Sequence, residues 1–179
     1  VYIGICYSEM NDYEKELKYK LEAYNIFKRL NLDDDLNVAF CLNNVGIAYG
    51  NQNDQQKSMK FYLEALEMYR RLKVGDHIDV ANCLLNIGIV CFNLKIQDSA
   101  LKYNQDGIEM YRRLKIGDHA NVAYALNIIG SVYNNLKEHK KALEFSQKSL
   151  EMYERLKVGD QVNVAKCHNN IGTAYGALN

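Results

Sequence analysis

Proline is absent from the 179 residues, and so is any CxxC pair. No stretch approaches the 18 or so consecutive apolar side chains of a membrane span. Nor is there a charge excess, since 22 basic residues offset 22 acidic ones. Each absence removes a class of function. Nucleic-acid binding draws most of its affinity from phosphate neutralisation, so a balanced chain argues against it. The four histidines stand in different repeats and the cysteines lack ligand spacing, so no metal site is expected. No Gly-rich phosphate loop and no Ser/His/Asp set appears. The expectation is a non-enzyme with no cofactor, bound to neither nucleic acid nor membrane.

What is present is repetition. Gly46, Gly88, Gly130 and Gly172 stand 42 residues apart, and Gly4 falls one period earlier. Nearly the same text surrounds each, as in LNNVGIAYG from Leu42 and LNIIGSVYN from Leu126. A period of this size signals stacked identical units. The cysteines obey the same register. Cys41, Cys83 and Cys167 share a slot with Ala125, Cys91 shares one with tyrosines, and Cys6 with alanines and valines. They read as buried free thiols packing like small hydrophobes, and reduced thiols suit a cytoplasmic protein.

Each unit reads as two helices. From Val38 to Asn51 the residues Leu42, Val45, Gly46 and Tyr49 follow helical spacing. After the polar break NQND, Met59, Tyr62, Leu63, Leu66, Tyr69 and Leu72 do so again from Gln55 to Val74. Basic residues close the second helix, which suits its negative end. Gly75 is expected as a left-handed stop, and Asp76 as the cap of the next helix. His77 and His119 are assigned to capping or loop packing, and Asp33–Asp35 to caps. A mid-helix glycine costs about 1 kcal/mol against alanine, so its recurrence marks close approach of the paired helix.

The pattern resembles the tetratricopeptide repeat, on Leu42, Val45, Gly46 and Tyr49 with Ser58, Tyr62 and Ala65, and on their equivalents one and two periods later. The 42-residue period and the linker GDHxxVA at Gly75–Ala81 and Gly117–Ala123 are closer to the kinesin light chain type. Ile78, Ala120 and Val162 stand where such linkers usually carry proline. The resemblance implies an all-α, right-handed superhelical solenoid of stacked antiparallel helix pairs. The whole chain, 1–179, reads as one array: a partial repeat 1–35, repeats at about 36–77, 78–119 and 120–161, and a terminal first helix 162–179. It opens on Val1 inside a repeat, so it is expected to be a piece of a longer array, with apolar ends that self-associate.

The first helices are nearly free of charge, whereas a solvated helix normally carries charges opposite its core face. Projected at about 100° per residue, Phe40, Asn44, Ile47 and Asn51 oppose the core stripe. The equivalent stripes are Asn82, Asn86, Ile89 and Asn93; Tyr124, Ile128, Ser131 and Asn135; and Lys166, Asn170, Thr173 and Ala177. Asn43, Phe92, Asn127, Asn134 and Asn169 flank them. This reads as the inner wall of a groove. An amide both donates and accepts, so repeated asparagines can hold the main chain of an extended peptide, with Ile47, Ile89 or Phe92 as apolar anchors. The resemblance implies the same use of Asn43, Asn44, Asn86, Asn127, Asn169 and Asn170. The amides could instead bridge neighbouring first helices. Only Lys166 brings charge to the wall, so acidic ligands are not favoured. Two functions stay open: a scaffold or adaptor binding a protein or peptide, and a structural or sensing arm of a larger signalling ATPase.

Overall fold

The computed structural model describes residues 12–30, 35–157 and 161–178. Gly4, Cys6, Asp33, Asp34 and the linker at 158–160 lie outside them, with the rest of residues 1–11 and 31–34 of the partial repeat. The described residues form eight α-helices and no strand: α1 Tyr13–Arg29, α2 Leu36–Asn51, α3 Gln55–Arg71, α4 Ile78–Asn93, α5 Gln97–Arg113, α6 Ala120–Asn135, α7 His139–Leu156 and α8 Gln161–Leu178. Each helix packs on its sequence neighbours, and the first helices α2, α4, α6 and α8 also pack on one another in series. The result is an all-α repeat array in which every core is shared between adjacent units.

The recurring glycines lie on the seam within each pair. A Cβ on Gly46 would sit 2.7 Å from the Tyr62 ring, and those on Gly88 and Gly130 would collide with Asn104 and Ser146. These three partners occupy one slot of the second helix, so seam and slot repeat together. Ser58 Oγ donates to the Gly46 carbonyl at 2.8 Å across the same seam. Large side chains then fill the space between units: Tyr69, Tyr111 and Tyr153 are all buried at a single register position.

Two expectations about the linkers are corrected. No described glycine takes a positive φ; the left-handed residues are Asn53, Lys73, Lys95, Lys115, Lys137 and Lys157. At the end of α3, Lys73 N–H bonds the Arg70 carbonyl and Val74 N–H bonds the Tyr69 carbonyl. This is the paired-bond closure of a helix, with its left-handed residue one place beyond the cap. That place is Lys73, two positions before Gly75, whose added Cβ would meet nothing within 4 Å. Asp76 does not cap α4 either. His77 does, its Nδ1 accepting from Asp79 N–H at 3.2 Å, and His119 accepts from Asn121 N–H at 3.1 Å. Asp35 caps α2 in the same slot, by accepting from Asn37 N–H at 2.7 Å.

Asp76 is engaged elsewhere. Arg113 grips it with two hydrogen bonds, of 2.7 and 2.8 Å, and Arg155 grips Asp118 likewise at 2.6 and 3.0 Å. Each clamp ties a linker to the second helix of the following unit. Other basic residues at these helix ends pair on the surface: Arg112 forms a forked pair with Glu109 at 2.7 and 2.5 Å.

Candidate functional site: a concave channel along the first helices

The described first helices carry several hollows, and two of them gather asparagines expected on the wall. One, of about 740 Å³, spans α4, α6 and α8; Phe92, Tyr124, Asn127, Ser131, Lys166, Asn169 and Asn170 line it with Ile128, Gln161, Val162 and Ala165. The other, of about 290 Å³, lies at the α2–α4 seam beneath Ile47, Asn86 and Ile89, with Asn51, Gln55 and Asn93 at its polar edge. Nine of the residues expected at a ligand face from the sequence do line hollows: Ile47, Asn86, Ile89, Phe92, Tyr124, Ser131, Lys166, Asn169 and Asn170. Asn127 joins them as the tenth. Of the described lining, Lys166 alone carries charge. Its ammonium lies 5.1 Å from the Tyr124 ring centroid and donates to Asn163 Oδ1 at 3.0 Å.

The remaining four expected residues sit within the framework. Asn43 and Asn44 are buried, and Asn44 Nδ2 donates back to the Phe40 carbonyl at 3.0 Å. Asn82 Oδ1 accepts from Tyr111 Oη at 2.6 Å and from Asn121 Nδ2 at 2.9 Å. Asn134 Nδ2 donates to the Asn170 carbonyl at 3.0 Å, and its Oδ1 lies 3.2 Å from His139 Nδ1. Even within the lining, some amide capacity is used between helices. Asn170 Nδ2 reaches Asn127 Oδ1 at 2.7 Å and Ser131 Oγ at 2.8 Å, while Asn86 Nδ2 reaches Asn43 Oδ1 at a looser 3.4 Å. The bridging alternative therefore holds for Asn86 with Asn43 and for Asn170 with Asn127. Asn169, by contrast, is exposed on the wall.

Sequence reasoning passed over three features. The Asp–Arg clamps recur at a spacing of 37 residues, which was readable only as a coincidence of composition. Gln161 and Val162 enter the larger hollow from the first turn of α8. The third is a buried ion pair of Lys20 with Glu16, to which Asn51 Nδ2 also donates at 3.0 Å. The register held a signal for it, because Glu16 and Lys20 align with Ser58 and Tyr62, the two inward slots of the second helix.

Burial pushes the Cys83 thiol up to about 12 and raises Cys41 and Cys91. Cys41, Cys83, Cys91 and Cys167 are buried free thiols, as the register implied. Burial likewise raises Tyr111, an effect reduced by its contact with Asn121. Among the described residues no group of three metal-ligating side chains converges, and no helix is long and apolar enough to cross a membrane.

A family model described as tetratricopeptide repeat matches residues 1–71, 60–113 and 120–179. The chain belongs to the tetratricopeptide repeat family. Such repeats are protein-interaction scaffolds, and their fold is typically non-catalytic. Solved structures agree on the architecture. BtubC (BKLC) from P. vanneervenii superposes with a TM-score of 0.82 at 20% identity, over 98% of this chain and 70% of that one. The nearly identical TPR-like repeats of a Podosopora anserina protein named for the kinesin light chain give 0.77 at 8% identity, over 98% and 83%. The signal transduction ATPase (STAND) protein with a tetratricopeptide repeat sensor from Pyrococcus horikoshii gives 0.75 at 18%, over 97% of this chain and 26% of that one. At these identities the likeness is one of fold, of the kinesin light chain-like repeat type. No curated protein matches the chain in sequence.

Proposed function

We propose that this array binds an extended segment of another protein along the channel formed by α2, α4, α6 and α8, as a cargo or adaptor scaffold does. The observation that carries the reading is the α4–α6–α8 hollow: about 740 Å³, lined by aromatic, aliphatic and amide side chains, with Lys166 its one charge. A wall of this kind has no reason to be so apolar opposite its core if water is its only neighbour. Amides such as Asn169 and Asn86 supply main-chain hydrogen bonds of roughly 0.5–1.5 kcal/mol each, and Phe92, Tyr124 and Ile128 supply the anchor. A handful of such contacts reaches micromolar affinity, about −8 kcal/mol. Four buried free thiols suit a reducing compartment such as the cytoplasm.

The amide bridges favour a second reading, in which the array is a structural or sensing arm and its asparagines serve the stack. Titration calorimetry separates the two. Peptides selected against the whole chain should lose at least tenfold in affinity to Tyr124→Ala with Asn169→Ala, both of which leave the bridges intact. Unchanged affinity would remove the channel from the proposal and leave the arm.

A further inference from the structure

First and second helices are joined along the array in different ways. The first helices α2, α4, α6 and α8 pack closely on one another in series, and α3, α5 and α7 each pack on the first helix that follows. The second helices α3, α5 and α7 make no comparable contact with one another among the described residues. Charge spans that gap. Asp76 follows the end of α3 and is gripped by Arg113, which closes α5; Asp118 follows the end of α5 and is gripped by Arg155, in the last turn of α7. The two clamps therefore chain the C-terminal ends of α3, α5 and α7 together. Both partners recur in every period, as Asp34, Asp76, Asp118 and Asp160 and as Arg29, Arg71, Arg113 and Arg155. Asp34 and Asp160 lie outside the described residues. The slot just before the arginine is not held in this way, since Arg70 and Arg112 give way to Glu154.

We infer that the clamps act as tie-rods that set the opening angle between units, and with it the curvature of the first-helix wall, in a manner that salt controls. The packed first helices form the pivot, because a close-packed contact resists compression. Opposite the pivot, a forked arginine–carboxylate pair fixes both distance and direction. The four clamp side chains are 33–53% exposed, so salt reaches them, and the screening length shrinks from about 10 Å at 0.1 M to about 3 Å at 1 M. With a tie released, the outer helix ends separate and the inner wall curls more tightly. Each joint repeats the last, so the angles add along the array. Glu109 Oε1 also lies 3.8 Å from Arg113 Nη1, but that contact stays within α5 and does not cross a joint. The device operates whether or not the channel holds a peptide.

Double electron–electron resonance on the whole chain tests this. Spin labels on Arg70→Cys and Glu154→Cys, exposed positions near the ends of α3 and α7, report across two joints. Cys6 is replaced by alanine, the residue of its slot at Ala48 and Ala174, and the described cysteines are buried. Combining Asp76→Asn with Asp118→Asn should lengthen the distance by about 3 Å per joint, one layer of water. The parent should lengthen in the same direction between about 0.1 M and 1 M salt, and the double variant should respond less. Glu138→Gln with Glu144→Gln is the control. It makes the same change in net charge but breaks only the pairs with Lys141 and Lys148, which are local to α7, and should leave the distance unchanged. Circular dichroism verifies that each variant folds, and the parent's salt series decides alone if one does not. A distance that ignores salt or the loss of the clamps, or that moves as far in the control, overturns the inference.

Discussion

Asn170 Nδ2 lies 2.7 Å from Asn127 Oδ1, joining α8 to α6 through a pair of side chains that sequence places 43 residues apart. The same amide group reaches Ser131 Oγ at 2.8 Å. Its exposed neighbour Asn169 takes no part in that junction. Asn170→Ala should therefore destabilise the array by about 1–2 kcal/mol, the sum of the bonds it forfeits. Asn169→Ala should stay within about 0.5 kcal/mol of the parent. Urea unfolding of the two variants checks this, and amide exchange should speed first in α8 of Asn170→Ala. Equal stabilities would mean that the junction contributes nothing.

The seam glycines give a contrast of sign. Gly46→Ala places a methyl group 2.7 Å from the Tyr62 ring, and overpacking of this kind costs about 1–3 kcal/mol. Gly172 stands at the same register in α8, but a Cβ there would meet nothing within 4 Å. Gly172→Ala should then gain from helix propensity, by up to about 1 kcal/mol. Thermal melts of both variants should move in opposite directions.

Lysine closes the helices where glycine was expected. A left-handed backbone costs an ordinary residue about 1–2 kcal/mol. Lys95 and Lys137 both adopt it, with φ of 61° and 60°. Lys95→Gly and Lys137→Gly should each raise stability by about 0.5–1 kcal/mol despite the greater freedom of glycine when unfolded. Gly75→Ala, at a position with ordinary φ and open space, should be neutral or mildly stabilising. A falling midpoint for both Lys→Gly variants would contradict the strain argument.

Two tyrosines of one slot should answer differently to loss of their hydroxyl. Tyr111 donates to Asn82 at 2.6 Å. Tyr69 stands one period earlier, where Phe40 replaces Asn82, and its buried hydroxyl has no hydrogen-bond partner. Tyr111→Phe should cost about 1 kcal/mol and leave Asn82 with Asn121 alone. Tyr69→Phe should be neutral or stabilising, because it removes an unsatisfied polar group. Chemical denaturation of the pair is the measurement.

Stability should be level through neutral pH and fall at both extremes. Cys83 is pushed up to about 12, and Tyr62 and Tyr69 are also raised, in each case mainly by burial. Their neutral forms are favoured by folding. That contribution is complete below the unfolded thiol value of about 8.5 and drains away as pH climbs toward 12. Asp76 and Asp118 are lowered, chiefly by the hydrogen bonds from Arg113 and Arg155. Their contribution is present above the unfolded value of about 3.9 and is lost as pH drops through the folded ones. Melting curves from pH 3 to pH 11 should show this plateau. Asp76→Asn should lose part of the parent's acid-side decline.

The repeat length, the helix pairs, the seam glycines and the burial of Cys41, Cys83, Cys91 and Cys167 were all written in the sequence, because each depends on spacing along a single helix or on a slot that recurs every 42 residues. Helix periodicity alone also carried the uncharged wall, since a stripe of Asn, Ile and aromatic residues opposite Leu42, Val45 and Gly46 is visible from projection. What only the tertiary structure decided is how the polar groups are shared. Bonded asparagines lie 43 or 39 residues apart and clamped Asp–Arg pairs 37 apart, offsets set by the rotation and shift of one helix against the next. A one-dimensional register keeps equivalent residues aligned but carries no measure of that displacement. Whether Asn127 reached a neighbour or the channel, and whether Asp76 capped a helix or held an arginine, was therefore settled by packing.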